Sequence, residues 1–104
     1  MDNNKYTLRY LPLFEQELAA AKDYIANVLM NPSAALRLVD ETEQVIQKRL
    51  SNPLSFECYH SVKDRKHPYY YINVRNFMVF YVVIGDVMEV RHFVYSRRDL
   101  SKLI

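Results

Sequence analysis

Phe77-Met78-Val79-Phe80-Tyr81-Val82-Val83-Ile84 is apolar throughout. A run of this length without a polar residue reads as a strand buried on both faces at the centre of a sheet. Tyr69-Tyr70-Tyr71-Ile72-Asn73-Val74-Arg75 precedes it. A Gly85-Asp86 turn then leads into Val87-Met88-Glu89-Val90-Arg91-His92-Phe93-Val94-Tyr95, and Ser96-Arg97-Arg98-Asp99-Leu100 follows. Both neighbours of the apolar run alternate, so each has one face to spare.

Upstream, Lys5 to Leu11 reads as a first strand, with Tyr6, Leu8 and Tyr10 alternating with Thr7 and Arg9. Pro12 sits where a first helical residue tolerates proline. Phe14, Leu18, Ala21, Ile25 and Val28 recur at three- and four-residue steps, one apolar stripe on a helix over about 12–30. Asn31-Pro32 is an N-cap followed by proline. It opens a second helix over about 32–51, with Ala35, Leu38, Val39, Thr42, Val45, Ile46 and Leu50 on one side, and Asn52-Pro53 stops it. The short link makes the two helices an antiparallel hairpin. Residues 54–67 read as a solvated loop, rich in charge from Lys63 to Lys66, with a functional loop as the alternative.

The order β-α-α-β-β-β predicts an α+β fold, with an N-terminal strand and the helical hairpin packed on one face of a mostly antiparallel sheet. One domain over 1–104 is expected. The same order excludes the RNA-recognition sheet domain. The chain contains a single Gly, which excludes P-loop and dinucleotide-binding loops. Net charge is only +2 at pH 7, but basic residues gather at the end, where Arg91, Arg97, Arg98 and Lys102 are opposed by Asp99 alone. Cys58 is the sole cysteine, so neither an internal disulfide nor a zinc cluster of the usual spacing can form. The N-terminus lacks the apolar core of a signal peptide, and no apolar run approaches the ~20 residues of a membrane helix. The expectation is a soluble cytoplasmic protein with no cofactor, no metal and no membrane contact.

Strict alternation assigns faces. Tyr70, Ile72 and Val74, with Met88, Val90, His92 and Val94, form the apolar sets expected to meet the helices. The opposite face then shows Tyr69, Tyr71, Arg75, Glu89, Arg91, Phe93 and Tyr95, a recognition surface if it is free. Cover by a loop or by the C-terminal tail is the equal alternative. His92 reads as a hydrogen-bonded core histidine, and His60 and His67 as solvated ones. Glu89 and Arg91 read first as a cross-strand ion pair, second as a carboxylate base beside a cation. Tyr95, Arg97 and Arg98 read as solvated charges at a strand end, or as a phosphate- or partner-gripping cluster.

Three pieces in this order, Asn31-Pro32-Ser33-Ala34-Ala35, Asn76-Phe77-Met78-Val79-Phe80-Tyr81 and Arg91 through Asp99, resemble the RelE/ParE superfamily of bacterial toxins. The resemblance covers essentially the whole chain. It implies the toxin half of a type II toxin–antitoxin pair, restrained by a cognate antitoxin protein, acidic and partly disordered when free, in a hetero-oligomer. One branch of the superfamily cuts messenger RNA on the ribosome; the ParE-like branch poisons DNA gyrase. The lysines and arginines of the nuclease branch are largely missing, since Tyr70-Tyr71-Ile72-Asn73 has no lysine and Met78 stands where an arginine is expected. The ending Arg91-x-x-x-Tyr95-x-Arg97-Arg98-Asp99 is similar to the ParE type. The resemblance therefore implies gyrase as target ahead of ribosome and mRNA, with an inactive antitoxin-binding relative as a third reading. Candidate catalytic residues, should there be an activity, are Glu89, Arg91, Tyr95 and Arg98. Candidate target- or antitoxin-binding residues are Tyr69, Tyr71, Arg75, Arg91, Phe93, Tyr95, Arg97 and Arg98.

Overall fold

A computed structural model describes residues 6–59, 66–101 and 104. Its elements are β1 (Thr7–Tyr10), α1 (Pro12–Asp23) continuing into a π-helical turn (Tyr24–Val28), α2 (Pro32–Arg49), β2 (Tyr70–Val74), β3 (Phe77–Ile84) and β4 (Val87–Tyr95). The four strands run β1-β4-β3-β2 across one sheet. β1 is parallel to β4, and the other pairs are antiparallel. The expected α+β architecture is present, a helical hairpin on one face of a mostly antiparallel sheet. His60 and the charged run from Lys63 to Arg65 lie outside the described residues.

Both helices start where proline tolerates the missing N–H, at Pro12 and Pro32. Asn31 caps α2, its Oδ1 accepting the Ala34 N–H at 3.2 Å. The α2 stripe is as read, with Ala35, Leu38, Thr42 and Ile46 buried. The α1 stripe holds through Phe14, Leu18, Ala21 and Ile25 but fails at Val28, which is 62% exposed. The π-helical turn is the reason. The Leu29 N–H reaches back to the Tyr24 carbonyl at 3.1 Å, and the wider turn swings later side chains off the stripe.

The central strand is buried as expected, with no solvent exposure from Val79 to Val82. On its helix side, Val79 and Tyr81 meet Phe14, Leu38, Ile46 and Ile72. Burying one such apolar side chain fully is worth ~1.5–3 kcal/mol. On its other side, Phe80 and Val82 meet Tyr69, Val94, Leu100 and Ile104. Leu100 and Ile104 lie against the sheet there, the Ile104 N–H bonded to the Leu100 carbonyl at 2.9 Å.

One residue overturns the expected facing of β4. Tyr81 pairs with Val90, but the next residue back along β3, Phe80, pairs with His92. Arg91 is therefore an extra residue, a β-bulge, and alternation inverts beyond it. Met88 and Val90 face the helices as expected. His92 and Val94 do not: they share the far face with their register partners Phe80 and Met78. Phe93 turns instead into the helix-side core, stacked on Phe77 with ring centroids 4.7 Å apart and edge-on to Phe14.

Candidate functional site

The far sheet face is covered, the alternative left open by the sequence. Tyr59 lies edge-on against Tyr71 and Phe80, and Leu100 and Ile104 fill the rest, Ile104 only 1% exposed. Of the residues expected to line a free face there, Tyr69 and Phe93 are buried, and Phe93 is on the opposite side. Arg75 turns toward the hairpin. From a left-handed backbone at φ 54 its guanidinium grips both carboxylate oxygens of Glu41 on α2, at 2.6 and 2.8 Å.

Glu89 sits at the edge of this covered face, 5% exposed. Its register partner on β1 is Arg9, whose Nε donates to Oε1 at 2.9 Å. Arg91 Nε donates to Oε2 at 2.7 Å. Burial pushes the Glu89 carboxyl up, but the two guanidinium hydrogen bonds and their charges outweigh it and hold the carboxyl below its ordinary value. Burial likewise opposes the charged Arg91, and its hydrogen bonds to Tyr69 and Glu89 more than reverse this. A carboxylate stabilised by two cations is a weak base, so the ion-pair reading of Glu89 is the one realised. His92 is buried as a core histidine should be, but its Nδ1 has no hydrogen-bond partner among the described residues and stands 3.4 Å from Glu17 Oε1.

The four catalytic candidates do not converge. Glu89 and Arg91 are joined on the far face, whereas Tyr95 pairs with Phe77 and faces the helices. Tyr95 is 44% exposed, edge-on to Phe77 with centroids 5.8 Å apart. The chain turns immediately after it, the Arg98 N–H bonding the Tyr95 carbonyl at 3.0 Å. Arg97 and Arg98 are exposed and join no ion pair among the described residues. Tyr95, Arg97 and Arg98 thus lie together on the exposed turn that ends β4, apart from the Glu89–Arg91 pair.

Beside this cluster runs an apolar groove of about 690 Å³, lined by Ala20, Tyr24, Leu29, Asn76, Phe77 and Tyr95 among others. It lies between the outer flank of α1 and the ends of β3 and β4. The sequence reading missed it, and also Arg9 and Glu17. Arg9 was legible as a polar position alternating with Leu8 and Tyr10, but its partner depends on the parallel pairing of β1 with β4. Glu17 was signalled only as a charged residue one turn from Phe14. Among the described residues, no group of three or more His, Cys, Asp or Glu side chains is placed to hold a metal ion. No helix among them is long and apolar enough to cross a membrane.

Comparison with known proteins places this geometry in a family. Residues 8–100 match the family described as ParE toxin of type II toxin-antitoxin system, parDE. The chain belongs to that family. A solved structure titled as the chromosomal ParDE system from P. aeruginosa shares the fold with a TM-score of 0.72 at 14% identity, over 88% of this chain and 97% of that one. The E. coli DinJ-YafQ toxin-antitoxin complex matches at 0.57 and 8% identity, over 96% of this chain and 98% of that one. YafQ from E. coli strain BL21(DE3) matches at 0.55 and 8% identity, over 86% and 92%. No curated protein matches the sequence.

Proposed function

We propose that this member of the ParE toxin family arrests growth in the cytoplasm by poisoning DNA gyrase, and that a cognate antitoxin neutralises it. Tyr95, Arg97 and Arg98 are the residues assigned to gripping the target. The observation that carries this reading is the state of Glu89, whose two carboxylate oxygens are each held by a guanidinium, Arg9 on one and Arg91 on the other. Cleaving RNA through a 2′-hydroxyl needs a group free to take its proton and an open surface for the strand. Here the carboxylate is engaged, and Leu100 and Ile104 fill the sheet face beside it. A gyrase-directed toxin needs neither, only a binding surface that traps its target.

Ribosome-dependent cleavage of mRNA is the second reading. The observation favouring it is His92, whose ring centroid lies 6.1 Å from that of Tyr69, with the Arg91 guanidinium 5.9 Å from the centroid of the same Tyr69 ring. Those groups would serve as acid, base and phosphate clamp if Leu100 and Ile104 moved aside. The two readings separate in one experiment. Purified chain is added to a gyrase supercoiling and cleavage assay, and in parallel to a translation extract primed with mRNA. Trapped double-strand breaks with intact message support the proposal. Cut message with unaffected gyrase supports the second reading, and loss of both effects identifies an inactive antitoxin-binding relative.

A further inference from the structure

We infer that the cavity between the end of α2 and β2 binds single-stranded nucleic acid, with Arg49 and Lys48 on a phosphate and Phe56 stacked on a base. The site stands apart from Tyr95, Arg97 and Arg98, and the inference does not rest on the target assigned to them.

Lys48 and Arg49 occupy the last turn of α2, and the chain beyond it brings Phe56 back against Arg49. Cations suit a helix C-terminus, and that alone could account for the pair. Here, however, other donors already serve the helix end. The Leu50 N–H bonds the carbonyls of Ile46 and Gln47 at 3.1 and 3.3 Å, and the Asn52 N–H bonds that of Arg49 at 3.1 Å. The Ser51 hydroxyl bonds that of Lys48 at 3.1 Å. Neither cation joins an ion pair among the described residues, and residues 47–56 contain no Asp or Glu. Their charge is therefore left for something outside the chain.

Arg49 is held in place before any ligand arrives. Its Nη1 donates to the Tyr71 carbonyl on β2 at 3.1 Å and to the Tyr81 hydroxyl at 2.9 Å. A guanidinium carries five N–H donors, and these two bonds use the pair on Nη1. Nε and Nη2 make no hydrogen bond among the described residues. Together they form the edge that grips an oxyanion with two parallel bonds, the same edge by which Arg75 holds Glu41. A cavity of about 440 Å³ lies against Arg49, lined also by Lys48, Ser51, Asn52 and Phe56. The lining supplies a second cation, a hydroxyl and an amide, and no acid, which is donor chemistry for a phosphate. Phe56 then selects among phosphates. The Arg49 guanidinium covers one face of its ring at 3.5 Å from the centroid, yet the residue is 45% exposed. A cationic groove with an exposed aromatic beside it suits a strand whose bases are free to stack. A duplex keeps its base faces inside, so the ligand is single-stranded.

The chain contains no tryptophan, so Phe56→Trp in the full chain places a single reporter at the site. Its fluorescence is titrated at low salt with oligothymidylate and oligouridylate of about eight nucleotides, with a duplex of the same length, and with oligoglutamate. Stacking should quench the indole with either single strand, and neither the duplex nor oligoglutamate should do so. Affinity for labelled oligothymidylate, followed by anisotropy, should fall at least about fivefold from wild type in Phe56→Ala and about tenfold in Lys48→Glu. Lys48 and Phe56 are both exposed, and melting temperatures confirm that each variant is folded. A preference for one of the two single strands supports the proposal equally and identifies DNA or RNA as the ligand. Absence of binding at low salt overturns the proposal. Binding to wild type without quenching in Phe56→Trp overturns it too, since the strand then lies elsewhere on the chain. Affinity unchanged in both Phe56→Ala and Lys48→Glu does the same. Quenching as strong with the duplex or with oligoglutamate reduces the site to a general anion patch, and the proposal falls.

Discussion

The Glu17 carboxylate on α1 accepts the backbone N–H of Phe93 on β4 at 2.9 Å. The contact answers a problem that the bulge creates. β1 pairs with β4 from Thr7 opposite Val87 to Tyr10 opposite Val90 and no further, so beyond Arg91 the outer edge of β4 has no strand beside it among the described residues. Phe93 is buried there, and a buried N–H without a partner costs about 1–3 kcal/mol. Glu17→Ala should therefore lose about that much stability in urea denaturation, while Glu17→Gln, whose amide oxygen accepts the same bond, should keep most of it. An alanine variant as stable as wild type would mean that water serves the N–H instead.

The Arg9–Glu89–Arg91 cluster predicts an acid dependence. Burial raises the Glu89 carboxyl, but hydrogen bonds from Arg9 and Arg91 outweigh it, so the folded value lies below the ordinary one. The unfolded chain then takes up this proton more readily than the folded one. The stability so gained is complete above the ordinary carboxylate value and is lost as pH falls through the depressed folded value. Glu89→Gln should be less stable than wild type at pH 7 by roughly 2 kcal/mol, and the gap should narrow from about pH 5 downward. Denaturant midpoints for both proteins across that range provide the measurement. A gap independent of pH would show that packing, not charge, is what the substitution removes.

Tyr81 ties the segment after α2 to the sheet. Its hydroxyl donates to the Pro53 carbonyl at 2.7 Å and accepts from Arg49 Nη1 at 2.9 Å. The Arg49 guanidinium in turn bonds the Tyr71 carbonyl at 3.1 Å and lies 3.5 Å from the Phe56 ring centroid. Tyr81→Phe keeps the ring and removes both bonds, so thermal melts should show a loss of about 1–3 kcal/mol. Limited proteolysis should then cut earlier near Phe56 than in wild type. Cleavage at an unchanged rate would show that the aromatic stack alone secures the segment.

The fold was legible because its signals are local. Asn31-Pro32, the α2 stripe, the Gly85 turn at φ 62 and the apolar run of β3 each act over a few residues, and all reappear. The candidate site was less legible because it depends on events that periodicity cannot register. A period-two pattern carried from Met88 past Arg91 puts His92 and Val94 with the helices, and one inserted residue reverses that assignment. The π-helical turn does the same to Val28 on α1. Cover of the far face by Leu100 and Ile104 is a tertiary outcome, visible in sequence only as two apolar residues near the end. What survives of the expected cluster, Tyr95 with Arg97 and Arg98, lies where the chain leaves β4, and there no alternation has to hold.

The separation of Arg91 from Tyr95, Arg97 and Arg98 divides their expected effects on toxicity. Arg97 and Arg98 are exposed, so alanine at either should alter stability by no more than about 0.5 kcal/mol. Tyr95→Ala also gives up the edge contact with Phe77 and should cost about 1 kcal/mol. Arg91→Ala is different in kind. It strips one of the two guanidiniums from a nearly buried carboxylate, and should cost about 2 kcal/mol. Growth arrest on induction, scored beside melting temperature, distinguishes these roles. Arg97→Ala, Arg98→Ala and Tyr95→Ala should weaken arrest while the fold persists, and Arg91→Ala should weaken it only in proportion to its lost stability. A stable Arg91→Ala protein that no longer arrests growth would return Arg91 to the target-binding surface. Full arrest by Tyr95→Ala and by the Arg97→Ala/Arg98→Ala double variant would leave that cluster as ordinary solvated surface, and the contact with the target would have to be sought elsewhere.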